Sequence, residues 1–278
     1  SQAGSAPHAA RSWIFTSATL GGDDALRWFT EPLGLQHHPG LRTLRLPSPF
    51  DHAELASLYV PHDLPEPGEP DHTARLAQAV SRWASRLGGR TLVLTTTLRA
   101  ADRMTELLAA MAPTGPGAAL QVLGQGRLSR RALLARFRAA AGVGQAGAIL
   151  VASASFWEGV DLAGDVLQLL VIDKLPFPSP DDPLIEARAQ KITDAGLSAF
   201  NGVYMPQAAQ ALRQGVGRLI RSETDRGVLV IGDRRLLTRS YGNALLAELP
   251  PMRRLVDEDE VMRALDELAL TRASTKGR

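Results

Sequence analysis

Short apolar runs recur along the chain, and each is followed by a stretch whose apolar positions return with helical spacing. The clearest runs are Thr91 to Thr95, Ala148 to Ala152, Leu167 to Asp173 and Val228 to Gly232. The spacing predicts helices over Ala74 to Leu87, Ala100 to Met111, Ser129 to Ala141, Pro183 to Ala195 and Pro206 to Ile220. This alternation predicts an α/β fold, a doubly wound and mainly parallel sheet with helices on both faces. In such folds ligands gather at the carboxyl ends of the strands, so the polar, Gly-rich residues after each run are where chemistry is expected. A further apolar strand is expected at Trp13 to Phe15, after a flexible lead-in, and the opening reads as cut from something longer. Pro61 to Pro70 and Ala112 to Ala118 read as extended connectors.

Composition narrows the classes. A chain of 278 residues, 45% hydrophobic, can bury a full core, which excludes a disordered or fibrous protein. With no cysteine, the chain forms no disulfide and holds no zinc or iron–sulfur cluster through thiolates. No apolar run approaches the roughly 20 residues that span a bilayer, so a soluble, cytoplasmic protein without membrane contact is expected. The 31 basic residues, nearly all arginine, barely exceed the 29 acids, which permits a local nucleic-acid patch without requiring one.

The sharpest local signal is QALRQGVGRLIR, Gln210 to Arg221. On a helix, Gln214, Arg218 and Arg221 stand at i, i+4 and i+7 and share one face, beside Gly215 and Gly217, which leave room for close approach. Two guanidiniums and an amide on a glycine-thinned face suit a polyphosphate, because arginine stays charged and donates in a planar fork. The bland reading is a solvated or salt-bridged arginine face. Asp257 to Glu260 reads DEDE and imitates a magnesium-binding acidic box, but it opens a C-terminal helix, where acids complement the helix dipole. No Gly-x-x-x-x-Gly-Lys-Ser/Thr occurs, so the chain has no phosphate-binding loop of its own.

Four segments, in order, resemble motifs of superfamily 2 DNA helicases of the XPD/DinG-like branch. TSATL (Thr16 to Leu20) resembles motif III, VLTTT (Val93 to Thr97) motif IV, ASASFWEGVDLAG (Ala152 to Gly164) motif V and QGVGRLIR (Gln214 to Arg221) motif VI. SPFDH (Ser48 to His52), VIDKLPFPSPDDP (Val171 to Pro183) and ETDRGVLVIGDRR (Glu223 to Arg235) resemble the YoaA type within that branch. The resemblance runs from about Trp13 to about Pro251 and implies the second RecA-like lobe of a two-lobed motor. Residues 1–22 would be a lead-in with the motif III strand bordering the first lobe, and 23–278 the second lobe with a C-terminal helix.

The resemblance implies that ATP and magnesium sit mainly on the first lobe of the same polypeptide, outside this segment. Arg218 and Arg221 would reach across the cleft as arginine fingers, Arg221 to the γ-phosphate, and Gln214 would place water or phosphate. Glu158, Gly159 and Asp161 in motif V, with Gly217, would approach the nucleotide, Glu158 coupling it to the DNA site; loop capping by the two carboxylates is the plainer reading. Single-stranded DNA phosphates would be held by Ser153 and by Thr95, Thr96 and Thr97, although ordinary N-capping explains one of the threonines equally well. Gln125 and Gly126, followed by Arg127, Arg130 and Arg131, would add a second phosphate contact, although a solvated basic helix explains these arginines equally well. Phe156 and Trp157 are expected to pack rather than stack on bases, and His37 and His38 have no third ligand, so no metal site is expected. The implied whole is a 5′-to-3′ ATP-dependent helicase that is inert as this segment alone. Many relatives carry an iron–sulfur cluster in the first lobe. The rival reading is a non-catalytic module that binds nucleic acid or protein; a self-sufficient NTPase or nuclease is the poorer third.

Overall fold

A computed structural model describes residues 12–17, 23–112, 120–142, 146–153, 156, 162 and 164–275, with side chains as far as 271. The chain divides into two compact units, 1–45 and 46–278. In the first, α1 (Arg27–Thr30) is a single turn. Residues 12–17 form no strand. The strand expected at Trp13 to Phe15 is thereby corrected: a β-ladder needs a hydrogen-bonding neighbour, and none pairs with it among the described residues. Instead Trp13 stacks on Phe15 with ring centres 6.5 Å apart, and Phe15 meets Phe29 edge-on at 5.2 Å.

The second unit runs α2 (His52–Leu55), β1 (Ala56–Tyr59), α3 (His72–Leu87), β2 (Thr91–Thr95), α4 (Leu98–Met111), β3 (Leu120–Gly124), α5 (Arg130–Ala140) and β4 (Gly147–Ser153). It continues through β5 (Leu169–Ile172), α6 (Pro183–Asp194), a π-helical turn (Phe200–Tyr204), α7 (Met205–Val216) and β6 (Gly227–Ile231). Last come α8 (Arg235–Thr238), α9 (Gly242–Ala247), β7 (Arg253–Leu255) and α10 (Glu258–Thr275). The strands form one parallel sheet in the order β3-β4-β2-β5-β6-β1-β7. The expected doubly wound α/β architecture is therefore present, with β1, β3 and β7 in addition.

Both faces of the sheet are covered, as a parallel sheet requires. Val93, Ile149, Val151, Val171 and Val230 pack in one cluster with Leu76, Val80 and Trp83 of α3, Met104 and Leu108 of α4, and Val261 and Leu265 of α10. Their neighbours of opposite parity, Leu92, Leu94, Leu150, Leu170 and Leu229, are equally buried and point to the other layer. The turn into β2 is tight: Gly89 has φ +85°, and a Cβ there would lie 2.4 Å from the amide nitrogen of Ala148. The DEDE segment does open α10, with Glu258, Asp259 and Glu260 in its first turn. Asp257 accepts the Glu260 N–H at 2.8 Å while Glu260 accepts that of Val256 at 2.9 Å, a reciprocal cap. Glu258 is also held by the indole N–H of Trp83 at 3.0 Å and by Arg82 at 2.7 Å, which docks α10 on α3.

Candidate functional site

The candidate residues fall at both ends of the strands. Register aligns Thr91 of β2 with Leu169 of β5, and Leu169 with Val228 of β6, so the segment before β6 lies at the amino edge of the sheet. Ser153 and Thr95 face each other at the carboxyl edge, four residues or ~13 Å further along the strands. Thr95, Thr96, Thr97, Gln125 and Ser153 gather at the carboxyl ends, where chemistry is expected, whereas Arg218 and Arg221 precede β6.

At the carboxyl edge, Gln125 uses its amide oxygen to accept the backbone N–H of Ser153 at 2.7 Å and its hydroxyl at 3.1 Å. The ends of β3 and β4 are thereby joined. Thr95 is buried, and its hydroxyl donates to the carbonyls of Thr97 at 2.9 Å and Ala152 at 3.4 Å. Thr97 is the N-cap of α4, its hydroxyl accepting the Ala100 N–H at 3.2 Å. Thr96 is half-buried, and its N–H donates to Asp173 at 3.2 Å.

Asp173, at the end of β5, accepts both this N–H and that of Lys174 on the same oxygen, Oδ1. Burial pushes its carboxyl up to about 7, against the lowering effect of Lys174 and the two amides, with Asp233 adding to the rise. Asp233, wholly buried at the end of β6, accepts the Leu175 N–H at 2.9 Å and pairs with the guanidinium of Arg235 at 2.7 Å. Two carboxylates, neither singled out by sequence reasoning, therefore fix the start of the loop from Lys174 to Asp182. The available signal was position, an acid directly following a buried apolar strand.

At the amino edge the helical-face geometry is corrected. The helix expected to reach Ile220 ends at Val216, and Gly217 caps it. Glycines at 215 and 217 weaken helix propagation, and the chain tightens into i→i−3 bonds from Arg218 to Gly215 at 3.0 Å and from Leu219 to Val216 at 2.9 Å. Gln214 stays on α7, while Arg218 and Arg221 lie in the turn beyond it, all three half-buried. Asp225 holds this turn. Its carboxylate accepts N–H groups from Arg221 at 2.7 Å, Ser222 at 3.0 Å and Gly164 at 3.1 Å, and the Ser222 hydroxyl at 2.8 Å. One buried side chain thus ties the arginine turn to Gly164, the end of the segment that leaves β4 at Ser153.

Glu158, Gly159, Asp161 and Trp157 lie outside the described residues, as do the last three residues of TSATL. Phe156 is 3% exposed, and the Arg130 guanidinium lies 5.1 Å from its ring centre, a packing contact as expected. Among the described residues no group of His, Asp and Glu side chains could hold a metal ion, and no helix is long and apolar enough to cross a membrane.

A parallel sheet wound on both faces, with an arginine turn at one edge and a hydroxyl and amide row at the other, has the form of a RecA-like motor domain. Residues 80–252 match the family model of the helicase C-terminal domain, and the chain belongs to that family. Its similarity places it in the XPD/DinG-like branch. The ATP-dependent DNA helicase YoaA of Escherichia coli (strain K12) is 44% identical over 254 residues, covering 91% of this chain and 38% of that protein. The ATP-dependent helicase DinG of Mycobacterium tuberculosis (strain H37Rv) is 37% identical over 257 residues, covering 92% and 37%. A solved XPD helicase structure shares the fold, with a TM-score of 0.51 at 16% identity over 72% of this chain and 35% of that one. The chain spans well under half the length of these relatives.

Proposed function

We propose that residues 23–278 work as the second motor lobe of an ATP-dependent DNA helicase moving 5′ to 3′ on single-stranded DNA, with residues 1–22 bordering the first lobe. The observation that carries this reading is the Asp225 tie. Arg221, on the nucleotide side, and Gly164, the end of the segment that starts at Ser153 on the DNA side, are bonded to one carboxylate. In this reading a displacement of the arginine turn is felt at Gly164 through the shared carboxylate.

In this reading ATP with magnesium, held mainly by the first lobe, supplies the free energy of translocation. Arg221 donates to charge developing on the γ-phosphate, Arg218 supports it, and Gln214 orients water or phosphate; Glu158, Gly159, Asp161 and Gly217 close on the nucleotide. The backbone of Arg221 is fixed before nucleotide arrives, so little ordering is left for binding to supply. At the other edge, Ser153, Gln125 and the Thr95 to Thr97 turn contact DNA phosphates, with Thr97 the best placed of the threonines: it is exposed and its hydroxyl only accepts from the backbone, keeping its proton for a phosphate, whereas Thr95 donates to a carbonyl and the Thr96 hydroxyl is buried. An iron–sulfur cluster, where present, belongs to the first lobe. The protein works in the cytoplasm, and the segment alone turns over no ATP, because it lacks a phosphate-binding loop.

The test is ATPase activity stimulated by single-stranded DNA in the full-length protein. Arg221→Ala is expected to lower turnover by ~10³ to 10⁵ with ATP binding little changed, and the 278-residue segment to be inert. Unchanged turnover in the variant overturns the finger assignment and favours a non-catalytic binding module.

A further inference from the structure

The strongest charge asymmetry in the chain begins beside the carboxyl edge, just after Gln125, and runs along α5. Between Glu106 and Glu158 the sequence holds no acidic residue and five arginines, at 127, 130, 131, 136 and 138, although the whole chain carries only +2. All five are exposed and lie on α5 or just before it. Among the described residues, ion pairs lie on or beside α1, α3, α4, α7, α8 and α10, and Arg127, Arg131 and Arg136 enter none of these.

Two of the five, Arg127 and Arg136, border a cavity of about 580 Å³ lined also by Gln121, Val122, Leu123 and Gly124 of β3 and by Leu128 and Leu133. Successive strand residues point to opposite faces, so a cavity touching four in a row meets the strand along its edge. Among the described residues β3 is the outermost strand and bonds to β4 alone, which leaves its other edge to present N–H and C=O groups at the spacing of a peptide backbone.

We propose that this groove takes an extended acidic peptide from a partner protein, which adds as a strand to β3. Its backbone pairs with the free edge, alternate apolar side chains enter the space between Val122, Leu128 and Leu133, and carboxylates meet Arg127 and Arg136. The charge selects an acidic ligand. The lining selects a peptide over a nucleic acid, because it presents no aromatic ring on which a base could stack, whereas strand rungs match an amide repeat. The proposal does not rest on the motor reading: of the residues lining the groove only Arg127 is also expected to touch DNA, and the oligonucleotide comparator tests that alternative directly.

The probe is a fluorescein-labelled decapeptide of alternating valine and glutamate, titrated by anisotropy, with a valine–lysine decapeptide and a thymidine 20-mer as comparators. Binding of the acidic peptide alone, slowed amide exchange over residues 120–124, and a loss of tenfold or more in Arg127→Glu/Arg136→Glu are expected. Arg127→Gln/Arg136→Gln, which adds no repulsion, should lose a smaller but measurable factor. No peptide binding, binding indifferent to both double variants, or tighter binding of the oligonucleotide with the same arginine dependence overturns the proposal. So does concentration-dependent dimerisation that protects 120–124 without peptide, which would assign the edge to a second copy. Arg221→Ala is expected to leave peptide affinity unchanged, so failure here is distinguishable from failure of the motor assignment.

Discussion

Asp173→Asn offers a quantitative check on the carboxyl edge. Asp173 is 6% exposed and its carboxyl is pushed up to about 7 from 3.8, chiefly by burial. A carboxyl that binds its proton more tightly in the folded than in the unfolded chain stabilises the fold most when protonated. That contribution is fully present below pH ~4 and is lost as pH rises through 7. At about 1.4 kcal/mol per pH unit, keeping Asp173 ionised in the folded state costs up to about 4 kcal/mol above that range. Asparagine resembles the protonated acid: both backbone N–H groups bond to Oδ1, which asparagine retains, while its amide takes the place of the other oxygen. Urea unfolding at pH 4, 5, 6, 7 and 8 should therefore give curves that nearly coincide at pH 4 and diverge upward, the variant becoming more stable by up to about 4 kcal/mol at pH 8. A constant offset between the proteins across this range would refute the argument, because it would mean that the charge on Asp173 carries no cost.

Two further perturbations probe the framework of the site. Asp225→Ala removes one acceptor from three backbone N–H groups and a hydroxyl, and should destabilise the fold by about 2 to 4 kcal/mol, measured by chemical denaturation; Asp225→Asn, keeping one oxygen, should fall between it and wild type. Gly147→Ala would bring a Cβ within 2.0 Å of the Gly88 carbonyl oxygen, contact with backbone that has no rotamer to yield, and should cost about 3 kcal/mol in a thermal or urea melt.

The central strands were legible because they are buried on both faces, which writes them as unbroken apolar runs: Thr91 to Thr95 was read to the residue. β3 and β7 were not, because an edge strand shows solvent on part of its length. Gln121 of β3 and both arginines of β7 are exposed, which erases the run. β1 is only four residues long and gains its partners from the far end of the chain. At the site, residue identities carried the arginine pair but not its geometry. Periodicity carries a helix through any residues that fit its spacing, whereas Asp225 competes for the N–H groups of Arg221 and Ser222, and two glycines make that competition easy to win. Position after a buried apolar strand marks Asp173 and Asp233, but the distant amides they and Asp225 hold, those of Thr96, Leu175 and Gly164, are brought near only by the fold and no local pattern announces them.

The placement of β1 between β6 and β7 has a consequence for synthesis on the ribosome. Its first partner, Gly227, is made roughly 170 residues after Ala56, on the order of 10 to 30 seconds later at ordinary elongation rates. During that interval the apolar segment Ala56 to Tyr59 has neither neighbour, while β2, β3, β4 and β5 can already associate. A nascent chain at this stage exposes β5 where β6 will lie and carries β1 loose ahead of it, so holdase chaperones should engage it then and release it once residue 255 has emerged.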